Sequence, residues 1–247
     1  MSVPRFTVLP DPRAVAEATA DRFVAAAQAA IEQRGRFCVA LSGGSTPRAV
    51  YPLLTAPPRV ERVDWSHVEF FWGDERSVPP DDPESNFGVA YRMLVSRLPG
   101  VRPEAVHRMP ADAPDRDAAA RAYEREIARA VPAEETLPAF DLIWLGMGAD
   151  GHTASLFPGS EALGVYDRSV VANWAPSLGT WRMTFTLPLI DAAREVLFVV
   201  TGGDKAAAMR AVRSGESDLP AARVQAATVE WLLDRAAAGE AEGAAER

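Results

Sequence analysis

The feature that most constrains the fold is an alternation of short, continuous apolar runs with longer helical patterns. The runs predicted as strands are residues 6–9, 37–41, 68–72, 140–145, 183–187 and 196–201. The patterns predicted as helices are residues 11–34, 48–54, 86–98, 115–131, 204–212 and 229–238. Strands without polar alternation are typical of a parallel sheet that is covered on both faces. The pattern therefore predicts an α/β fold, in which a mostly parallel sheet carries helices on both faces.

The chain shows no internal repeat and no long linker, so its 247 residues predict one domain over 1–238 and a flexible tail over 239–247. Its net charge of −8 argues against a nucleic-acid-binding surface, which requires clustered Lys and Arg. No apolar stretch approaches the roughly 20 residues that span a bilayer, and the first residues lack the pattern of a signal peptide. The only cysteine, Cys38, lies in an apolar run and can form no internal disulfide. These features predict a cytoplasmic protein without nucleic-acid or membrane partners, with Cys38 buried in the core.

Four polar, glycine-bearing segments follow predicted strands, at residues 42–46, 73–76, 146–152 and 202–205. In an open parallel sheet, ligands bind outside the carboxyl ends of the strands. We therefore expect the four segments to form one site.

The first segment lies between a strand and a helix and consists of Ser42, Gly43, Gly44, Ser45 and Thr46. Glycines allow close backbone approach, and a helix start offers free N–H groups and a positive dipole end. This pattern indicates a phosphate-binding loop, although a glycine turn capped by Ser45 or Thr46 explains it equally well. It is neither a Walker loop nor a dinucleotide-binding loop.

Two segments carry groups suited to proton transfer. Asp74 and Glu75 stand beside Arg76, which suits acid–base chemistry next to an anion, although a surface ion pair is the alternative. His152 follows a glycine-rich turn, and Asp150 could fix its tautomer. The alternative is a capping histidine with Asp150 as a turn residue.

The remaining candidate residues are two cations. Lys205, after Gly202 and Gly203, could reach an anion in the cleft, and Arg182 has the same possible role, although both could be ordinary exposed side chains. No Cys/His cluster indicates a metal site, and no Gly-x-Ser-x-Gly elbow indicates a serine esterase.

Taken together, the segments resemble the 6-phosphogluconolactonase family. The resemblance runs in order through Leu41–Pro47, Trp72–Arg76, Val78–Pro79, Ser85–Asn86, Gly146–Pro158, Arg182–Thr184, Gly202–Lys205 and Leu219–Ala221. It implies a Rossmann-like α/β fold shared with the sugar-phosphate deaminases and isomerases. It also implies hydrolysis of 6-phospho-D-glucono-1,5-lactone in the pentose phosphate pathway, without a cofactor or metal. We expect a monomer or a small homo-oligomer.

The resemblance and the chemistry of a lactone together assign roles. His152 would deprotonate water and then protonate the leaving ring oxygen, and Asp74 would orient the water or the sugar hydroxyls. Arg182 or loop N–H groups would stabilise the oxyanion. The phosphate would bind the 42–46 loop, Arg76 and Lys205. Asp150 and Gly151 would support the loop that carries His152.

Two other functions stay open. A sugar-phosphate deaminase or isomerase of the same fold could use the same loop and histidine. In the deaminases, however, the histidine is typically followed by Ile-Ala-Phe-Asn-Glu-Pro, whereas Thr153–Pro158 follows here and contains no carboxylate. The other possibility is a non-catalytic sugar-phosphate sensor. Sensors of this superfamily often carry an additional DNA-binding helical domain, and this sequence has no basic segment for one.

Overall fold

We describe a computed structural model of the chain, which covers residues 3–215 and 217–240. Its helices are α1 (Pro12–Arg34), α2 (Ser45–Leu54), α3 (Asn86–Met93), α4 (Arg116–Ala130), α5 (Leu187–Asp191) and α6 (Ala206–Ser214). Its first six strands are β1 (Arg5–Leu9), β2 (Phe37–Leu41), β3 (Val68–Trp72), β4 (Asp74–Arg76), β5 (Ala133–Glu134) and β6 (Leu137–Pro138). The others are β7 (Leu142–Leu145), β8 (Val170–Ala175), β9 (Thr180–Phe185), β10 (Glu195–Val200) and β11 (Thr228–Asp234). No helix in the described ranges is long and apolar enough to cross a membrane.

The central sheet has six strands in the order β1-β11-β10-β7-β2-β3, and every adjacent pair is parallel. The chain proceeds from β2 to β3 on one side, whereas β7 and β10 extend the sheet on the other side. The connections therefore diverge between β2 and β7, and such a switch point opens a crevice at the carboxyl ends of the strands.

Helices cover both faces of this sheet, as predicted. Phe23 of α1 stacks on Trp65, which in turn stacks on Phe70 of β3. The next residue of β3, Phe71, packs against Tyr123 of α4. Because successive side chains of a strand point to opposite faces, α1 and α4 lie on opposite sides of the sheet.

A smaller antiparallel sheet, in the order β4-β9-β8, adjoins the central one. Gly73 joins them, because its N–H donates to the carbonyl of Leu41 at 3.0 Å and its carbonyl accepts from the N–H of Phe185 at 2.8 Å. The strand predicted over 183–187 is partly wrong. It is β9, which ends at Phe185 and belongs to this antiparallel sheet, and Leu187 begins α5 with Pro188 in its first turn. Its partner β8 was not predicted.

The helix predicted over 229–238 is wrong, because residues 228–234 form β11, an interior strand between β1 and β10. From Val229 to Asp234 every residue of this strand is buried. A short apolar run buried on both faces has no period that distinguishes a strand from a helix. Parallel neighbours on both edges decide the outcome, since they satisfy the backbone hydrogen bonds of β11.

The other predicted elements are present with shifted ends. α2 begins at Ser45 rather than Arg48, and α3 ends at Met93 before a 3₁₀ turn over Val95–Arg97. α6 begins at Ala206, after a 3₁₀ turn over Gly203–Lys205. Cys38 is buried, as expected. Of the predicted tail, residues 241–247 lie outside the described residues.

Candidate active site

A cleft of about 250 Å³ opens at the carboxyl ends of β2 and β7, where the connections diverge. The residues that line it are Ser42, Gly43, Gly44, Ser45, Thr46, Pro47, Asp74, Arg76, Asn86, Gly146, Met147, Gly148, His152, Ala154, Val199, Val200, Thr201 and Lys205. All four glycine-bearing segments contribute to this lining. The parallel sheet therefore brings together residues that are more than 150 positions apart in the chain, such as Ser42 and Lys205.

The 42–46 loop forms one wall of the cleft and leads into α2. Gly44, the residue before the helix, has a φ of 107°, which an L side chain rarely adopts. A Cβ on Gly43 would lie 1.7 Å from Oδ1 of Asn86, so this position has no room for a side chain. Below the loop, the buried hydroxyl of Tyr51 donates to the carbonyl of Ser42 at 3.2 Å. The loop is thus held open towards the cleft, with the N-terminus of α2 behind it.

The loop is also tied to the end of β10. The hydroxyls of Thr46 and Thr201 lie 3.0 Å apart, and both residues line the cleft. Thr201 was not predicted as a site residue. The available signal was its position at the end of a predicted strand, directly before Gly202.

The three residues of β4 have different roles because side chains of a strand alternate between its two faces. Asp74 and Arg76 face the cleft, whereas Glu75 points away from it. The buried carboxylate of Glu75 accepts hydrogen bonds from the backbone N–H groups of Arg76, Asn86 and Phe87 and from the hydroxyl of Ser85. Glu75 therefore holds the start of α3 against β4, and it is not available for acid–base chemistry in the cleft.

Burial raises the pKa of Glu75, and the backbone hydrogen bonds oppose this shift only in part. The contact matters for the site because the same helix start carries Asn86, whose amide donates to the carbonyl of Asp74 at 3.0 Å. Asn86 was part of the family resemblance but was not predicted as a site residue. Its place directly after the capping Ser85 was the signal that could have indicated a fixed orientation.

Three cations lie in or beside the cleft lining. Arg76 lines it and donates through Nη1 to the carbonyl of Glu84 at 2.7 Å. Arg182 lies opposite Arg76 in the β4–β9 ladder. Burial, with a further contribution from the nearby Arg76, lowers the pKa of Arg182. Lys205 lines the cleft and pairs with Asp204 at 2.6 Å. This arrangement suits a multiply charged anion.

His152 lies on a tight turn that brings it over the loop after β7. A Cβ on Gly148 would lie 2.1 Å from Nδ1 of His152, so the imidazole packs directly on the backbone of that glycine. The ring also packs against Phe157, with centroids 4.6 Å apart. The φ of Gly151 is 79°, and a Cβ there would lie 2.7 Å from a methyl group of Leu219. The path of the turn therefore requires Gly151, and the packing of the imidazole requires Gly148.

Asp150 orients the imidazole. Its Oδ1 lies 2.6 Å from Nδ1 of His152 and accepts the backbone N–H of His152 at 3.1 Å. Burial favours the neutral form of Asp150, but the two hydrogen bonds outweigh it and lower the pKa of this carboxyl. Because an ionised carboxylate only accepts, Nδ1 carries a hydrogen, and in the neutral imidazole the lone pair is therefore on Nε2.

The structure thus places most of the predicted site residues in the cleft lining. Three do not line it, namely Arg182, Asp150 and Gly151, and each instead contacts or adjoins a residue that does. The other histidines lie elsewhere, since His67 is half exposed and His107 is buried between Glu69 and Glu126. Within residues 3–215 and 217–240, no group of three His, Cys, Asp or Glu side chains could hold a metal ion.

Known proteins resemble this chain in both sequence and fold. Residues 10–233 match the family described as glucosamine-6-phosphate isomerases/6-phosphogluconolactonase. A 6-phosphogluconolactonase from Nostoc sp. is 39% identical over 94% of this chain and 96% of its own length. The structure of 6-phosphogluconolactonase from Trypanosoma cruzi matches with a TM-score of 0.84 at 28% identity and covers 98% of each chain. A monomeric glucosamine-6-phosphate deaminase shares the fold at 21% identity, with a TM-score of 0.79 over 95% of this chain and 99% of its own. The chain belongs to the glucosamine-6-phosphate isomerase/6-phosphogluconolactonase family.

Proposed function

We propose that this protein hydrolyses 6-phospho-D-glucono-1,5-lactone to 6-phospho-D-gluconate, a step of the oxidative branch of the pentose phosphate pathway. The observation that carries the proposal is that His152, hydrogen-bonded to Asp150, lines one cleft with the 42–46 loop and Arg76. A base and an anion-binding region therefore share a space that fits a small phosphorylated ring. The family relatives named 6-phosphogluconolactonase support the choice of substrate.

The reaction needs one positioned base and one water. Nε2 of His152 takes a proton from the water, and the resulting hydroxide attacks C1 of the lactone. The bond between C1 and the ring oxygen then breaks, and the imidazolium returns its proton to that oxygen. One water is consumed, and the ring opens to a carboxylic acid that ionises at neutral pH. Because a lactone is an activated ester, no covalent nucleophile is required.

Asp74 and the loop backbone assist this step. The carboxylate of Asp74 faces the cleft, where it can orient the attacking water or a sugar hydroxyl. Arg182 does not line the cleft. Of the two predicted sources of oxyanion stabilisation, this favours the N–H groups of the glycine-bearing loops that line the cleft. Arg182 then acts beside Arg76, where it increases the positive charge.

The phosphate binds away from the reacting carbonyl. The N-terminus of α2, with its first-turn N–H groups and positive dipole end, favours an anion next to the 42–46 loop. Arg76 and Lys205 supply two positive charges at the lining. Binding energy from the phosphate can hold C1 near His152, so recognition at one end of the cleft serves catalysis at the other.

The test is a rate measurement with purified protein, without added metal or nucleotide. Acid release from the lactone is followed against the spontaneous hydrolysis of a protein-free control. No rate above this background, with protein that circular dichroism shows to be folded, would refute the proposal. Ammonia release from glucosamine 6-phosphate, measured in parallel, tests the deaminase alternative.

We also propose that the enzyme acts in the cytoplasm as a monomer or small homo-oligomer, without nucleic-acid partners. The buried thiol of Cys38 suits a reducing compartment, and the net charge of −8 disfavours binding to nucleic acid. The sheet that joins β1 to β11 supports one domain over 1–238. Light scattering after gel filtration measures the oligomeric state, and one cooperative unfolding transition is expected for one domain.

A further inference from the structure

A buried serine connects two parts of the site without touching the cleft. Ser155 is 1% exposed and does not line the cavity, yet its hydroxyl donates to Oδ2 of Asp74 at 2.8 Å. Ser155 lies in the tight turn between Thr153 and Leu156, which directly follows His152, whereas Asp74 lies on β4. The hydrogen bond therefore links the loop that carries the base to the strand that carries the second carboxylate.

The serine is itself held in place by the antiparallel sheet. Its N–H donates to the hydroxyl of Thr184 on β9 at 3.1 Å, and its carbonyl accepts from the amide of Asn173 on β8 at 2.8 Å. Thr184 and Asn173 are both buried. The preceding residue, Ala154, has a φ of 47°, a conformation that persists only where the surroundings hold it. Each polar atom of Ser155 thus has a fixed partner, and its hydroxyl points in one direction.

The carboxylate of Asp74 has a second donor. The amide of Asn86 lies 3.3 Å from Oδ1, on the other oxygen. This contact is longer than the 2.8 Å bond from Ser155, which is the stronger of the two. A hydrogen bond to an ionised carboxylate is about twice as strong as a neutral one, and it fixes the plane of the group.

We propose that Ser155 is a positioning residue for hydrolysis of the lactone, an inference that rests on the proposed function. It fixes the carboxylate of Asp74 relative to His152, so that both groups meet the same water or substrate. Ser155 touches neither, and it acts only through Asp74.

The first experiment is Ser155→Ala, with kcat and KM measured on the phosphorylated lactone. Loss of a charge-assisted hydrogen bond corresponds to about a ten- to hundredfold fall in kcat. KM should stay close to the parental value, because the 42–46 loop, Arg76 and Lys205 are unchanged. Ser155→Cys keeps the packing but donates weakly, so it should show the same split and carries the test if the alanine variant does not fold.

A matched control separates the hydrogen bond from the loss of a buried hydroxyl. Ser160 is also buried, and in the described part of the chain its hydroxyl has no hydrogen-bond partner. Ser160→Ala should therefore keep parental kcat and KM.

The decisive measurement is a double-mutant cycle with Asp74→Ala. If Ser155 acts only through Asp74, adding Ser155→Ala to Asp74→Ala should cause no further loss of kcat. Asp74→Leu, which has a similar volume and cannot accept a hydrogen bond, replaces Asp74→Ala in the cycle if the alanine variant is unfolded. Additive losses, or a folded Ser155→Ala enzyme with parental kcat, would overturn the inference while leaving the function intact. If the parental protein has no lactonase activity, both the proposed function and the role of Ser155 are overturned.

Discussion

The contact between Gly148 and His152 offers the sharpest perturbation of the site, through the substitution Gly148→Ala. A Cβ at this position would lie 2.1 Å from Nδ1 of His152 and 2.5 Å from Oδ1 of Asp150, whereas ordinary contacts begin at 3.4 Å. The φ of Gly148 is not in the left-handed region, so alanine is compatible with the backbone. The substitution therefore tests one thing, the space that the imidazole and its carboxylate partner occupy.

The size of the effect follows from these distances. To restore van der Waals contact, the imidazole must move by more than about 1 Å, and displacements of about 1 Å cost roughly a hundredfold in rate. The imidazole of His152 cannot simply rotate aside, because Nδ1 is hydrogen-bonded to Asp150 and the ring packs against Phe157. We expect kcat on the phosphorylated lactone to fall about a hundredfold, with KM changed much less because the 42–46 loop, Arg76 and Lys205 are unchanged.

The assay is steady-state hydrolysis, corrected for the spontaneous rate, with folding monitored by circular dichroism. Gly164→Ala is the matched control, since Gly164 is exposed, lies outside the left-handed region and would place its Cβ more than 4 Å from any other group. That variant should keep parental kcat. A folded Gly148→Ala enzyme with parental turnover would refute the reasoning, because it would show that the observed place of His152 is not needed for catalysis.

Three further predictions follow from the site and the core. Arg76→Ala and Lys205→Ala should each lower kcat/KM on the phosphorylated lactone about ten- to a hundredfold, and neither should affect hydrolysis of unphosphorylated gluconolactone. His152→Ala should instead lower the turnover of both lactones by roughly 10²–10⁴-fold. Equal losses on both lactones from Arg76→Ala would place Arg76 at the reacting carbonyl. Burial alone would lower the pKa of His107, but hydrogen bonds to its two glutamate neighbours outweigh it and raise the pKa to about 9. The protonated His107 therefore stabilises the folded state by about 3 kcal/mol below pH 6.5, and this contribution is lost as the pH rises through about 9. The urea midpoint of unfolding should fall over that pH range. An equal fall in the His107→Gln variant would contradict the role of His107. Burial raises the pKa of Cys38 to about 12, so a thiol reagent at about pH 8 should label only unfolded protein, and rapid labelling of the native state would contradict this.

Some features of the fold were predictable because they depend on neighbours in sequence. The start of α1 is an example, since Asp11 accepts from the N–H of Ala14, Pro12 occupies the first turn and Gly35 ends the helix with a φ of 73°. The bounds of β2 and β3 agree with the predicted runs for the same reason. β11 was missed because its identity depends on strands that are distant in sequence.

Residue type and spacing indicated the local parts of the site, namely the 42–46 loop before a helix and the pairing of His152 with Asp150 two positions earlier. These contacts lie within a single turn, so residue type and spacing are enough to predict them. The folded arrangement was needed to show that Asp74 faces the cleft while Glu75 caps α3, because these orientations depend on the pairing of β4 with β9. It also decided that Ser155 holds Asp74 across 81 positions of the chain. Such contacts exist only after the two sheets have formed, since the register of their strands, and not any local pattern, sets which side chains meet.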